Sequence, residues 1–208
     1  MRVLSILAHP RPDSFCHAIA ERARVALSRR GHDVVSCDLY QENFDPILRA
    51  AESATSGLDA EAAFDEIVDD PIHDYRADLV RAEGLFVVHP NWWGKPPAIL
   101  AGWIDRVFVP GVAYRIETGE GMPEGLLNLR AALILNTSNT PGEQEQAMLG
   151  DPLESMWTRC ILPFCGVTNG SRTVFGPVAS STARQRTDWL ASIDGLVDAH
   201  FGVFGSQE

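Results

Sequence analysis

No stretch of this sequence approaches the roughly 20 consecutive apolar residues that a membrane span requires. Basic residues are also in deficit, with 17 Lys and Arg against 28 Asp and Glu and a formal net charge of −11. Such a surface is repelled by nucleic acid and by anionic lipid, so neither is expected as a partner. Cysteine is scarce. Cys16, Cys37, Cys160 and Cys165 form no C-x-x-C pair and have no histidine at metal-ligand spacing, so reduced thiols are expected, with no metal site. The glycine patterns G-x-G-x-x-G and G-x-x-x-x-G-K-[ST] are missing, which argues against a Rossmann dinucleotide site and a P-loop. There is no G-x-S-x-G elbow and no cysteine with an evident histidine base. Asp13, Asp38, Asp45 and Asp105 form no paired-carboxylate pattern, and Asp105 and Arg106 read as surface charges.

What is present is ordinary for a globular protein: 208 residues, 45% hydrophobic and 22% charged, enough for one domain over 1–208. Two loop excursions are expected within it, at about 41–74 and 111–128. Residues 1–8 resemble a signal peptide only in outline. The apolar segment is short, and His9-Pro10-Arg11-Pro12-Asp13 stands where small residues would precede a cleavage site. It reads as a first strand, and the protein as cytoplasmic. Further strands are expected at 34–39, 84–89, 131–135 and 173–175. Helices are expected from Asp13 or Ser14 to about Arg30, then at 58–68, 75–82, 97–109, 151–163 and 182–201. Strands alternating with helices predict a parallel sheet in three layers.

In such a sheet ligands bind beyond the carboxyl ends of the strands. Three loops at those ends, 9–14, 90–96 and 136–142, are more polar or aromatic than packing demands. His9, Arg11 and Ser14 stand at a helix N-terminus suited to a phosphate, although Ser14 as a plain cap and Arg11 as a solvated charge explain them equally well. Trp92 and Trp93 sit between a strand and Pro96-Pro97, which open a helix. They offer a stacking platform, or two core side chains. Thr137, Ser138, Asn139 and Thr140 suit the edge or pyrophosphate of a cofactor, or cap the next helix.

The segment His9-Pro10-Arg11-Pro12-Asp13-Ser14-Phe15-Cys16 resembles the His-x-x-x-x-Ser-Phe-Asn motif of the flavodoxin-like NAD(P)H:quinone oxidoreductases. Residues 89–103, from His89-Pro90-Asn91-Trp92-Trp93-Gly94 through Pro97-Ala98-Ile99-Leu100 to Gly102-Trp103, resemble that family's Pro-x-x-Trp-x-x-x-Pro-Ala-Ile-Leu-x-Gly-Trp. Asp38-Leu39-Tyr40, Phe44-Asp45-Pro46, Ile104-Asp105-Arg106-Val107-Phe108, Gly111-Val112-Ala113-Tyr114 and Phe164-Cys165-Gly166 follow the same pattern, so the likeness covers most of the chain.

The resemblance implies an α/β flavodoxin-like sandwich, with five parallel strands in the order 2-1-3-4-5 and helices on both faces. It implies FAD, with FMN the alternative, and a homodimer with the site at the subunit interface. The reaction would be ping-pong transfer of a hydride from NAD(P)H, through flavin N5, to a quinone or similar electrophile. Carried over by position, His9, Ser14 and Phe15 hold the phosphate side of the cofactor, with Arg11 and Cys16 beside them. Pro90, Asn91, Trp93 and Gly94 contact the isoalloxazine, and Trp92 beside them is a further cofactor-binding candidate or packs. Asn136, Thr137, Ser138 and Asn139 contact its other edge, and Tyr114 lines the substrate cleft from the partner subunit. Cys16 replaces the motif's asparagine. Gly94 stands where an aromatic residue often does, and 143–150 holds neither the Tyr nor the His proposed as a charge relay in some members. No catalytic acid–base pair is therefore named. A regulatory flavoprotein docking on a transporter through its acidic excursion, or a flavodoxin-like electron carrier, are the other readings.

Overall fold

The computed structural model describes residues 1–52, 70–116 and 123–202. Five strands form one sheet: β1 (Arg2–Leu7), β2 (Asp33–Asp38), β3 (Gly84–Pro90), β6 (Ala131–Thr137) and β7 (Gly170–Phe175). Their spatial order is β2-β1-β3-β6-β7 and every pairing is parallel. Counting only these five, the order is the expected 2-1-3-4-5. β3 and β6 are buried along their whole length, as central strands covered on both faces must be.

Because successive strand residues face opposite ways, the sheet feeds two cores. Val3, Phe86, Val88, Leu133 and Leu135 meet Ile19 and Leu27 of α1 (Phe15–Arg29) and Ile193, Val197 and Phe201 of the last helix, Ala183–Phe201. Leu4, Ile6, Leu85, Val87 and Ile134 meet Leu79 of α2 (Asp70–Arg81), Trp103 and Val107 of α3 (Ala98–Val107), and Trp157. The helix expected at 75–82 thus begins earlier, at Asp70, with Pro71 tolerated in its first turn. The helix expected at 58–68 lies outside the described residues.

Between α3 and β6, the expected loop contains a short antiparallel pair, β4 (Tyr114–Arg115) and β5 (Glu124–Gly125). After β6 comes a helix that no sequence signal predicts, α4 (Gly142–Leu149). The helix expected at 151–163 is α5. It consists of an α turn Pro152–Glu154, a π-helical stretch Ser155–Ile161 and a final turn Leu162–Phe164. The last helix, α6 (Ala183–Phe201), is closed by a capping box in which Thr182 and Gln185 satisfy each other's backbone N–H. No helix among the described residues is long and apolar enough to cross a membrane.

Arg106 corrects the surface reading. It is fully buried on α3, with Nη2 2.6 Å from Glu52 Oε1 and Nη1 donating to the Asp45 carbonyl at 2.7 Å. Arg76 of α2 donates in turn to the Arg106 carbonyl. A buried guanidinium needs a partner, and the start of the acidic excursion supplies it. Burial pushes the Glu52 carboxyl up, but the Arg106 hydrogen bonds and the Arg49 N–H outweigh it and hold the group below its ordinary range. The same stretch packs on α3 at Gly102, where an added Cβ would lie 2.1 Å from the Pro46 carbonyl oxygen.

Candidate active site

In register, Leu7 pairs with Val88, Pro90 with Thr137, and Thr137 with Phe175. The carboxyl ends of β1, β3, β6 and β7 therefore finish at one edge. The loops beyond them enclose a cavity of about 370 Å³, within the range of small-molecule sites. From the first loop come His9, Arg11, Ser14, Phe15 and Cys16. From the second come Pro90, Asn91 and Trp92, and from the third Thr137, Ser138, Asn139 and Thr140. The loop after β7 adds Val178 and Ala179, which the sequence reading missed. The rule that ligands sit beyond strand ends pointed to this loop too, but its small residues gave no chemical signal.

One end of the cavity is the N-terminus of α1, whose chemistry suits an anion. Ser14 is the N-cap of α1, its Oγ accepting the His17 backbone N–H, and the first turn of that helix carries no acidic residue. Free N–H groups, the helix dipole and the Ser14 hydroxyl thus face one wall. Phe15 is seated against Phe175 and Trp189 and anchors the loop. Cys16 is buried, with Sγ 3.3 Å from Thr137 Oγ1, and burial pushes its thiol up to about 11, so it stays protonated. Burial also lowers His9, whose ring Nδ1 accepts the Arg11 N–H at 3.1 Å. Arg11 is turned toward Asp13 at 3.1 Å on the exposed side of the loop.

The other end is aromatic. The Trp92 ring is 6.0 Å from the ring of His9. Of the two candidate rings, the structure places Trp92 on the cavity and corrects the expectation for Trp93, which is 96% exposed and lies outside it. The reason is local. Trp93 and Gly94 take left-handed backbones, φ 60° and 71°, so the turn between Trp92 and Lys95 throws the second ring outward. Gly94 does not line the cavity either; its N–H donates to Asn91 Oδ1 at 2.9 Å. Asn91 Nδ2 in turn donates to Glu145, a buried carboxylate on α4, so that helix clamps the tryptophan loop.

Asn136 also fails to reach the cavity. β6 runs two residues further than expected, so Asn136 is a buried strand residue opposite His89. Its Nδ2 donates to His89 Nε2 at 2.8 Å and its Oδ1 accepts from Arg172. Trp157 Nε1 donates to the same histidine nitrogen at 3.0 Å, which places the His89 proton on Nδ1, donating to the Pro90 carbonyl at 2.9 Å. Burial, reinforced by Arg172 and opposed by that Pro90 bond, pushes His89 down to about 4. It is a neutral strut under the loop. Tyr114 lies in β4, its ring packed edge-on against Phe164 at 4.7 Å, and it does not line the cavity.

The donor set fits a flavin nucleotide, with hydroxyl and helix-terminal donors at one end and a flat ring and proline at the other. Among the described residues no group of three or more His, Cys, Asp or Glu could hold a metal ion.

Comparison with known proteins agrees with this geometry. The family model described as flavodoxin-like fold matches residues 1–193. The chain is 32% identical over 182 residues to the Haemophilus influenzae protein named "Uncharacterized NAD(P)H oxidoreductase", covering 86% of this chain and 85% of that one. It is 30% identical over 207 residues to rat "Ribosyldihydronicotinamide dehydrogenase [quinone]", covering 92% and 88%. The crystal structure of Smu.1420 from Streptococcus mutans superposes with a TM-score of 0.81 at 28% identity, over 96% of this chain and all of that one. On sheet order, site geometry and sequence, the chain belongs to the flavodoxin-like family of NAD(P)H:quinone oxidoreductases.

Proposed function

We propose that this NAD(P)H oxidoreductase holds FAD with its phosphates at the α1 N-terminus and reduces a quinone or similar electrophile by two electrons. The observation that carries this reading is the meeting of an anion end and an aromatic end in one cavity, between Ser14 and Trp92. Hydride uptake from NAD(P)H and hydride delivery at N5 are the chemistry that a flavin supplies when bound.

The protein's part is positioning. Ser14 and the free N–H groups of α1 offset phosphate charge, and Arg11 lies at the rim. Trp92 offers a flat face, and Asn91 holds the loop beneath it in place. Thr137, Ser138, Asn139 and Thr140 supply the opposite wall. Trp93 and Tyr114 suit the acceptor side, in a cleft that a second copy of the chain would complete. With Cys16 protonated and His89 neutral and sealed, no side chain here is assigned a proton-transfer step; approximation of donor and acceptor supplies the rate. We assign the enzyme to the cytoplasm, on its need for NAD(P)H and on its four free cysteines.

The test is the visible spectrum and mass of the cofactor released from purified protein, followed by anaerobic mixing with NADH or NADPH. FAD release and rapid bleaching are expected. FMN release would correct the nucleotide, and a protein that binds neither flavin would overturn the reading.

A further inference from the structure

Ser14, His17 and Asp38 form a continuous polar chain behind the anion end of the cavity. Ser14 Oγ lies 2.9 Å from His17 Nδ1, and His17 Nε2 lies 2.9 Å from Asp38 Oδ2. The three come from the cap of α1, its first turn and the end of β2. Asp38 is fixed at its far side, where Oδ1 accepts the backbone N–H groups of Tyr40 and Gln41.

Donor and acceptor counting couples this chain to the cavity. A serine hydroxyl has one proton and two acceptor sites, and one site takes the His17 backbone N–H. An ionised Asp38 requires a proton on His17 Nε2. In a neutral imidazole Nδ1 is then an acceptor, and Ser14 must give it its only proton. Ser14 thus presents no donor to the cavity, and its oxygen repels a phosphate oxygen. In the imidazolium form Nδ1 donates instead, and the hydroxyl proton is free to turn toward an anion. Every group is then satisfied.

We propose that His17 is a positioning residue coupled to anion binding: seating a phosphate group in this cavity takes up a proton at His17. This rests on reading the cavity as the phosphate end of a flavin site. The other charged and titratable groups facing His17 are few. His9, from the loop after β1, has its ring 6.4 Å away, and Arg11 and Asp13 further along that loop pair with each other. Beyond Asp38, Glu42 accepts the Asp38 N–H and the Tyr75 hydroxyl. One turn along α1, Glu21 is tied to Arg24.

The experiment is calorimetry of FAD binding to the flavin-free chain in two buffers of different ionisation enthalpy, which counts protons. The diphosphate of FAD does not titrate near neutrality, so uptake belongs to the protein. At mildly alkaline pH the wild type should take up close to one proton, and its affinity should fall by up to about tenfold per pH unit. His17→Gln should bind with no uptake and a flat pH profile. Asp38→Asn offers an amide N–H to His17 Nε2, lets neutral imidazole donate from Nδ1, and should also bind without uptake. A histidine that only packs would weaken binding on substitution and leave the proton count unchanged. No uptake by the wild type, or the same uptake by His17→Gln, overturns the proposal.

Inorganic sulfate, which also does not titrate in this range, separates the two readings. Sulfate binding with His17-dependent uptake, but no FAD binding, would refute the flavin site and sustain the coupling. Failure of both ligands to bind would overturn both.

Discussion

Trp92 and Trp93 are neighbours in sequence, yet one ring lines the cavity beside His9 and the other stands in solvent. Replacing Trp92 with Ala should therefore raise the flavin dissociation constant, by about tenfold for the loss of a stacking face. Replacing Trp93 with Ala should leave the flavin bound and raise the KM for the acceptor. Equal loss of flavin in the two variants, by equilibrium dialysis, would show that the cavity wall is misassigned. The adjacent motif residues could be named from the sequence, but not which ring turns inward. That depends on the left-handed backbones at Trp93 and Gly94, and the identity of Trp93 does not announce its own. His89 was legible only as a strand residue. It stays neutral with its value pushed to about 4, against about 6.5 in an unfolded chain. A depressed value means that the unfolded state binds the extra proton, so stability is full above about 6.5 and falls as pH drops toward 4. Between pH 7 and pH 5 this amounts to about 2 kcal/mol. Urea melts of His89→Gln should show that pH slope reduced; an unchanged slope would place the titration elsewhere.

At the scale of elements, strands announced themselves by apolar runs and the long helices by their stripes. α4 had neither signal: in Gly142–Leu149 only Glu145 is buried, so no periodicity marks the helix, although Gly150 after it adopts the left-handed backbone that ends one. Its role could not be read from spacing, because the partner of Glu145 is Asn91, far away in sequence. Arg106 was misread for the same reason. Its partner Glu52 sits on an excursion with no pattern of its own, so spacing alone gives a charged residue on this helix no reason to be buried. The contact between that excursion and α3 leaves no space for a side chain at Gly102. Gly102→Ala should lower the unfolding free energy by about 2 kcal/mol through overpacking against Pro46, despite alanine's better helix propensity. A thermal melt no lower than the parent would mean that the excursion yields instead.

At the scale of the whole molecule, the parallel sheet and its two cores followed from alternation of strands and helices, because each buried strand must be covered twice. What alternation does not carry is assembly. Trp93, Ile116, Met148 and Leu149 are large apolar side chains left more than half exposed on a single chain. In the proposed homodimer a second copy would cover part of this surface. Sedimentation is expected to report the mass of two chains, and a single-chain mass at assay concentration would remove the partner from the site. Charge to Arg or Glu at Met148 and Leu149 should shift that equilibrium toward monomer.

The left-handed backbone at Trp93 has a consequence for how variants of this protein would be ranked. A bulky residue at φ 60° carries roughly 1–2 kcal/mol that glycine or asparagine would not. A library at this position, sorted once for thermal resistance and once for turnover, should therefore give opposite orders. Glycine and asparagine should lead the first list and fall in the second. Sorting for thermal resistance alone would discard the ring, so the turnover list is the one that reads whether the acceptor uses it.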